Sequence, residues 1–237
     1  MCKDCGCSIT DENIHSNPQL NDKKTIDVIT KILDKNDKEA NHNREHLEKN
    51  NILSLNLMSS PGSGKTALLE KTAELAKFKF SVIEGDLETN QDAERLKAKG
   101  VEAYQITTGS ACHLDAFMVH KALHHINTEN LDILFVENVG NLVCPASYDI
   151  GTHLNIVLIS TPEGSDKVSK YPVMFKNADL ILITKIDLIE HFNFDLEKVK
   201  RDARALNPRV DILEISTNDN ESIQKWIYYI EFKKQMR

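Results

Sequence analysis

The sequence predicts an α/β protein: a doubly wound, mostly parallel sheet preceded by a helical, Cys-containing N-terminal extension. Three observations carry this. Short apolar runs alternate with helix-patterned segments from residue 51 onward, a Ser/Pro/Gly loop joins the first run to the first helix, and residues 8–50 are polar by contrast. Several runs are apolar nearly throughout, as expected where helices cover both faces of a parallel sheet.

In the extension, Ile26, Ile29, Ile32 and Leu33 recur at helical spacing and predict a short amphipathic helix. A second, more charged helical piece runs to about Lys49. Composition changes sharply after residue 50, so residues 1–50 form the extension and 51–237 the α/β domain. The strands are predicted at Ile52–Met58, Phe80–Glu84, Glu102–Ile106, Ile133–Glu137, Asn155–Ser160, Leu180–Thr184 and Asp211–Ser216. Helices are predicted at Thr66–Lys77, Thr89–Lys99, Leu114–Ile126, Asp195–Leu206 and Glu221–Lys234.

Bulk properties exclude several classes. The 237 residues carry a net charge of −7 with no basic run, which argues against nucleic acid as a partner. No apolar stretch approaches the roughly 20 residues of a membrane span. The opening MCKDCGCS lacks the apolar core of a signal peptide, so a cytoplasmic location is expected. Of five cysteines, three fall in the first seven residues; in a reducing compartment such a cluster points to metal binding.

Ser59-Ser60-Pro61-Gly62-Ser63-Gly64-Lys65-Thr66 lies between a strand and a helix, the setting of a phosphate-binding P-loop. Gly62 and Gly64 let backbone N–H groups, with those of Ser60 and Ser63, turn inward around phosphate oxygens. Lys65 reaches the β- and γ-phosphates, and the Thr66 hydroxyl is placed to ligate Mg²⁺. The strict pattern has glycine where this chain has Ser59. Thr184-Lys185-Ile186-Asp187 ends a later strand, where GTPases carry Asn-Lys-x-Asp. The Asp187 carboxylate accepts from guanine N1–H and the exocyclic amine, a donor pair adenine lacks. Two acidic strand ends complete the site. Glu84-Gly85-Asp86 supplies Asp86, and Glu137-Asn138-Val139-Gly140 supplies a second carboxylate and a glycine for approach to the γ-phosphate. Asp86 and Glu137 divide between them the tasks of holding Mg²⁺ and positioning the attacking water, in either order.

Cys2, Cys5 and Cys7 can wrap one metal ion, Ni(II) if the donors lie in a square plane and Zn(II) if tetrahedral. Cys112, His113 and Cys144 follow strands on the side of the sheet where ligands bind. Cys144 comes four residues after Gly140, so a nucleotide switch would move a thiol with it. His120 and His124 have i, i+4 spacing but no visible further donor, and are read as a solvated helix face.

Together these strings resemble the HypB family of hydrogenase nickel-incorporation GTPases, over nearly the whole chain. The resemblance rests on Cys2-x-x-Cys5-Gly6-Cys7, Asn36-Asp37-x-x-Ala40-x-x-Asn43-Arg44, Ser59–Thr66 and Glu84-Gly85-Asp86. It continues with Thr108-Gly109-x-Ala111-Cys112-His113-Leu114 and the long string from Glu137 through Cys144-Pro145. Ser59 agrees with that family; Thr184 departs from it. The resemblance implies a GTP-hydrolysing nickel metallochaperone for [NiFe] hydrogenase that also serves urease in some relatives. It implies a homodimer formed on GTP binding, slow turnover, Mg²⁺, a nickel site at Cys2, Cys5 and Cys7, and a nickel or zinc site at Cys112, His113 and Cys144. It further implies a small zinc-containing, HypA-like partner and the hydrogenase large subunit as nickel acceptor. Two alternatives are a nickel-storage protein with a vestigial P-loop and an ATP-dependent P-loop enzyme. Lys65-Thr66 and the two acids weigh against the first, Asp187 against the second.

Overall fold

A computed structural model of the chain describes residues 23–86 and 91–237, with side chains described from residue 30. Cys2, Cys5 and Cys7 lie outside the described residues. The strands are β1 (Leu53–Ser59), β2 (Phe80–Asp86), β3 (Glu102–Thr107), β4 (Ile133–Glu137), β5 (Leu154–Ser160), β6 (Leu180–Thr184) and β7 (Asp211–Glu214). The helices are α1 (Lys23–Lys49), α2 (Lys65–Leu75), α3 (Gln91–Ala98), α4 (Ala116–Leu123), the short α5 (Lys167–Lys170) and α6 (Pro172–Lys176), α7 (Leu196–Leu206) and α8 (Asn220–Gln235).

All seven strands are parallel, in the order β3-β2-β4-β1-β5-β6-β7. β1 alternates its side chains between the two layers. Leu53, Leu55 and Leu57 enter a core with Leu68 and Leu69 of α2 and Ile223, Trp226 and Ile227 of α8. Met58 faces the opposite layer, where Met174, Phe175 and Val199 close over β5 and β6. Burial on both faces explains why these strands read as continuous apolar runs. The indole N–H of Trp226, fully buried, is satisfied by Thr72 Oγ1 at 3.1 Å. Because strand order reverses about β1, a crevice opens at its C-terminal end, where ligands bind in folds of this kind.

The extension differs from expectation. One continuous helix of 27 residues replaces the two predicted pieces. Among the side chains described, Ile32 is exposed and Leu33 half-buried, while Asn36, Ala40, Asn43 and Leu47 face the protein at i, i+4, i+7 and i+11. Asn43 Nδ2 donates to the carbonyls of Ala116 (2.8 Å) and Ile150 (3.2 Å), and Asn36 Oδ1 accepts from the Ala116 N–H at 2.9 Å. Side-chain amides thus moor α1 to the start of α4, which tertiary context, not helical periodicity, decides. No described helix is long and apolar enough to cross a membrane.

Candidate functional site

The loop from Ser59 to Thr66 leaves β1 and enters α2 through two left-handed glycines, Gly62 (φ 76°) and Gly64 (φ 96°), a conformation that side chains disfavour. No side chain caps α2, so the amides of its first turn point into the cleft. The ammonium of Lys65 donates to Ser59 Oγ at 3.0 Å and lies 3.9 Å from Glu137 Oε1. Ser59, which replaces the expected glycine, therefore gives the phosphate lysine a resting partner. Ser63 Oγ turns away from the cleft and donates to Glu163 Oε1 at 2.6 Å, bracing the loop against the turn after β5.

A cleft of about 500 Å³ opens over this loop. Among its lining residues are Lys65, Thr66, Asp86, Glu137, Gly140 and Lys185. Thr66 Oγ1 donates to Glu137 Oε1 at 2.9 Å, while the buried Glu137 Oε2 has no partner. Burial pushes the Glu137 carboxyl up to about 6, against the pull of Lys65 and Thr66. Glu84, its register partner on β2, is driven to about 8 by burial first, then by the charges of Glu137, Asp92 and Asp86. Crowded carboxylates with orphaned oxygens beside a hydroxyl suit a hard divalent cation, so the oxygen donor set fits Mg²⁺. The sequence had singled out Asp86 and Glu137; that Glu84 adds buried acid to this corner emerges only from the β2–β4 register.

Of the residues expected to hold the base, Lys185 lines this cleft, and Thr184 and Asp187 flank Lys185 in the chain. Thr184 Oγ1 is buried and donates to Ser63 O at 2.7 Å; Lys185 Nζ donates to Gly62 O at 2.8 Å. Both residues thus tie β6 to the phosphate loop. Asp187 is exposed and accepts from Asn218 Nδ2 at 3.0 Å; hydrogen bonds from Ser216 foremost, then Asn218, hold its carboxyl below the usual range against slight burial. The loop after β7 thus holds the Asp187 carboxylate in place. The sequence reading did not include Ser216–Asn218, although their position at a strand end was a usable signal.

Cys112, His113 and Cys144 meet. Their ligand atoms all lie within 4.8 Å of one another. Cys112 Sγ and Cys144 Sγ are 2.8 Å apart, well beyond a disulfide bond of about 2.05 Å, and stand as thiols. Burial lowers the His113 pKa, only partly offset by Asp115, which favours the neutral imidazole with a lone pair for a metal. Its ring stacks on Tyr148 at 4.1 Å between centroids. Two sulfurs and one nitrogen on converging loops form a donor set for a borderline divalent ion.

Contacts join this cluster to the cleft. Leu114 N–H donates to Asn138 Oδ1 at 3.1 Å, and Asn141 Nδ2 donates to Cys112 O at 3.4 Å. Gly140 packs so tightly on the phosphate loop that a Cβ there would meet Pro61 at 2.9 Å. The segment from Glu137 to Cys144 thus touches the phosphate loop at one end and the thiol cluster at the other.

Residues 53–214 match the family model described as the CobW/HypB/UreG nucleotide-binding domain. The chain is 51% identical over 227 residues to the hydrogenase/urease maturation factor HypB of Helicobacter hepaticus, covering 94% of this chain and 93% of that one. The chain belongs to the HypB family. A hydrogenase maturation factor HypB from Escherichia coli is 43% identical over 221 residues, 92% of this chain and 76% of its own length. Among solved structures, HypB from Helicobacter pylori in complex with nickel superposes with a TM-score of 0.84 at 49% identity, covering 85% of this chain and 96% of that one. HypB from Archaeoglobus fulgidus gives 0.79 at 38% identity over 85% of this chain and all of its own. The doubly wound parallel sheet is thus the HypB fold, and its cleft belongs to a nucleotide-binding domain.

Proposed function

We propose that this HypB-family chain is a GTP-hydrolysing metallochaperone that delivers nickel during [NiFe] hydrogenase maturation. The observation that carries the reading is the segment Glu137–Cys144, which runs from the nucleotide cleft to the Cys112, His113 and Cys144 cluster. The nickel-bound relative and the maturation factors among its relatives support nickel as cargo.

In this reading the N–H groups of Ser60 and Gly62–Thr66 cradle the phosphates, and Lys65 leaves Ser59 for the β- and γ-oxygens. Asp187 accepts from guanine, with Thr184 and Lys185 fixing β6 against the loop. Thr66 and Glu137, with Asp86 close by, hold a Mg²⁺ ion, which would supply charge neutralisation at the β- and γ-phosphates. Asp86 orients the attacking water. Gly140 senses the γ-phosphate through the close packing at Pro61, so hydrolysis shifts the segment bearing Cys144 and alters the metal site.

The three donors leave a coordination position open, which a second chain fills in a GTP-dependent homodimer; zinc competes for the same site. Residues 1–50 act as a loading arm, with a tighter nickel site at Cys2, Cys5 and Cys7, ahead of the GTPase domain at 51–237. A small zinc-containing, HypA-like protein exchanges nickel with this chain, and the hydrogenase large subunit receives it. These thiols require the reducing cytoplasm.

Lys65→Ala tests the reading: GTP hydrolysis should be lost, with circular dichroism and nickel binding in the absence of nucleotide unchanged. Nickel affinity of the wild-type chain, measured with and without a non-hydrolysable GTP analogue, should differ. Retained turnover in Lys65→Ala, or identical nickel affinity in both nucleotide states, overturns it.

A further inference from the structure

We propose a second divalent-metal site, built by Glu39 and His42 of α1 with His120 of α4, that clamps the N-terminal helix to the α/β body. It is separate from the thiol cluster and does not depend on the nucleotide reading.

Each helix contributes at a spacing that puts side chains on one face. Glu39 and His42 are three residues apart on α1, and His120 of α4 lies four residues before His124, the residue that caps its C-terminus. The asparagine moorings bring these faces together. Glu39, His42 and His120 each present a ligand atom, all within 4.8 Å of one another. His120 Nδ1 lies 3.1 Å from Glu39 Oε1, and His42 Nδ1 lies 3.7 Å from the same oxygen. The His42 and His120 rings are 5.0 Å apart between centroids.

His120 is also oriented as a ligand needs to be. Its Nε2 sits 3.2 Å from His124 Nε2, so with the proton on His120 Nε2 it donates to His124 and frees Nδ1 to face Glu39 and His42. A metal-bound imidazole characteristically donates its other N–H to a fixed acceptor, which sets tautomer and ring orientation. His124 is thus a positioning residue. In the other tautomer, with the proton on Nδ1 and no metal bound, Asn43 Oδ1 accepts from His120 at 3.1 Å, while the Asn43 amide anchors α1 to α4.

Two imidazoles and one carboxylate form a borderline donor set with a solvent-facing position left for water. That set suits Zn(II) and Ni(II), not Mg²⁺, which takes oxygen donors almost alone. On binding, the metal takes the Nδ1 lone pair of His120; a proton residing there moves to Nε2 or to solvent, so charge balances without any redox step. Since the ligands come from both helices, an ion that binds only the docked arrangement must stabilise it. The site therefore couples metal availability to the seating of the segment that carries the N-terminal cysteines.

The test uses the full chain with all five cysteines replaced by serine, titrated with Zn²⁺ and with Ni²⁺. One equivalent should bind, with nitrogen and oxygen ligation by X-ray absorption. Binding should raise the thermal midpoint and slow hydrogen exchange across residues 36–47 of α1. His42→Gln, at an exposed position, should remove that equivalent and both effects. With the cysteines intact, His42→Gln should lower the bound equivalents by one, which keeps the test valid if the serine variant folds poorly. The proposal is overturned if stoichiometry and affinity are the same with and without His42 in either background, or if the bound metal leaves exchange in α1 unaltered.

Discussion

At His153 the folded environment overrides intrinsic chemistry. Its Nδ1 accepts from the Ser54 backbone N–H at 3.0 Å, which places the ring proton on Nε2 and leaves the imidazole neutral. Burial foremost, then the positive charges of Arg237, Arg44 and Lys234, push its pKa from 6.5 to about 4. The unfolded chain therefore binds a proton between these values that the folded chain refuses. Stability should be fully present above pH 6.5 and decline as pH falls toward 4, by on the order of 2 kcal/mol from this group. His153→Asn keeps an acceptor near the Nδ1 position and cannot titrate. Urea unfolding from pH 7 to pH 4 should show a shallower loss for this variant than for wild type; parallel curves would remove His153 from the account.

Among elements, α1 owes its seat to polar moorings and a close approach. Gly151 lies at φ 87°, and a Cβ there would collide with the Ala40 carbonyl oxygen and with Asn43 Cβ, the latter at 2.6 Å. Gly151→Ala should thus unseat α1 at a cost of about 2–4 kcal/mol, combining backbone strain with overpacking. Hydrogen exchange should accelerate across residues 36–47 while β1, β4 and β5 keep their protection; unchanged exchange in α1 would contradict this. The same helix marks the limit of what sequence alone reveals. The central strands were legible because both their faces are buried, so apolar runs such as Ile133–Val136 and Leu180–Ile183 announce themselves. The phosphate loop was legible because its chemistry is local. By contrast, the buried roles of Asn36 and Asn43 have no local signature, because their partners, Ala116 and Ile150, lie far along the chain. His120 and His124 read as a solvated face for the same reason: Glu39 and His42 come from another helix. The contact of Ser216 and Asn218 with Asp187 likewise depends on the turn after β7 meeting the turn after β6.

At the scale of the whole molecule, the phosphate loop and the thiol cluster share the segment Glu137–Cys144, so they cannot rearrange independently. Linkage makes their coupling reciprocal: the factor by which GTP changes metal affinity is the factor by which metal changes GTP affinity. A coupling of ~1–3 kcal/mol would appear as a five- to 150-fold shift. With the N-terminal cysteines removed, Ni²⁺ or Zn²⁺ should alter GTP affinity and dimerisation of the chain, and Cys144→Ala should abolish that response. An identical metal response in both proteins would sever the link. The strand order has a consequence of another kind, in time. β1, which launches the phosphate loop, pairs on one side with β4, Leu53 opposite Ile133, and on the other with β5, Leu55 opposite Leu154. During synthesis the loop's supporting strand must wait for about 100 further residues, or about 5–20 s at ~5–20 residues per second. Until β5 leaves the ribosome the nascent chain has no completed cradle for a nucleotide, so GTP can stabilise the domain only after most of it has been made.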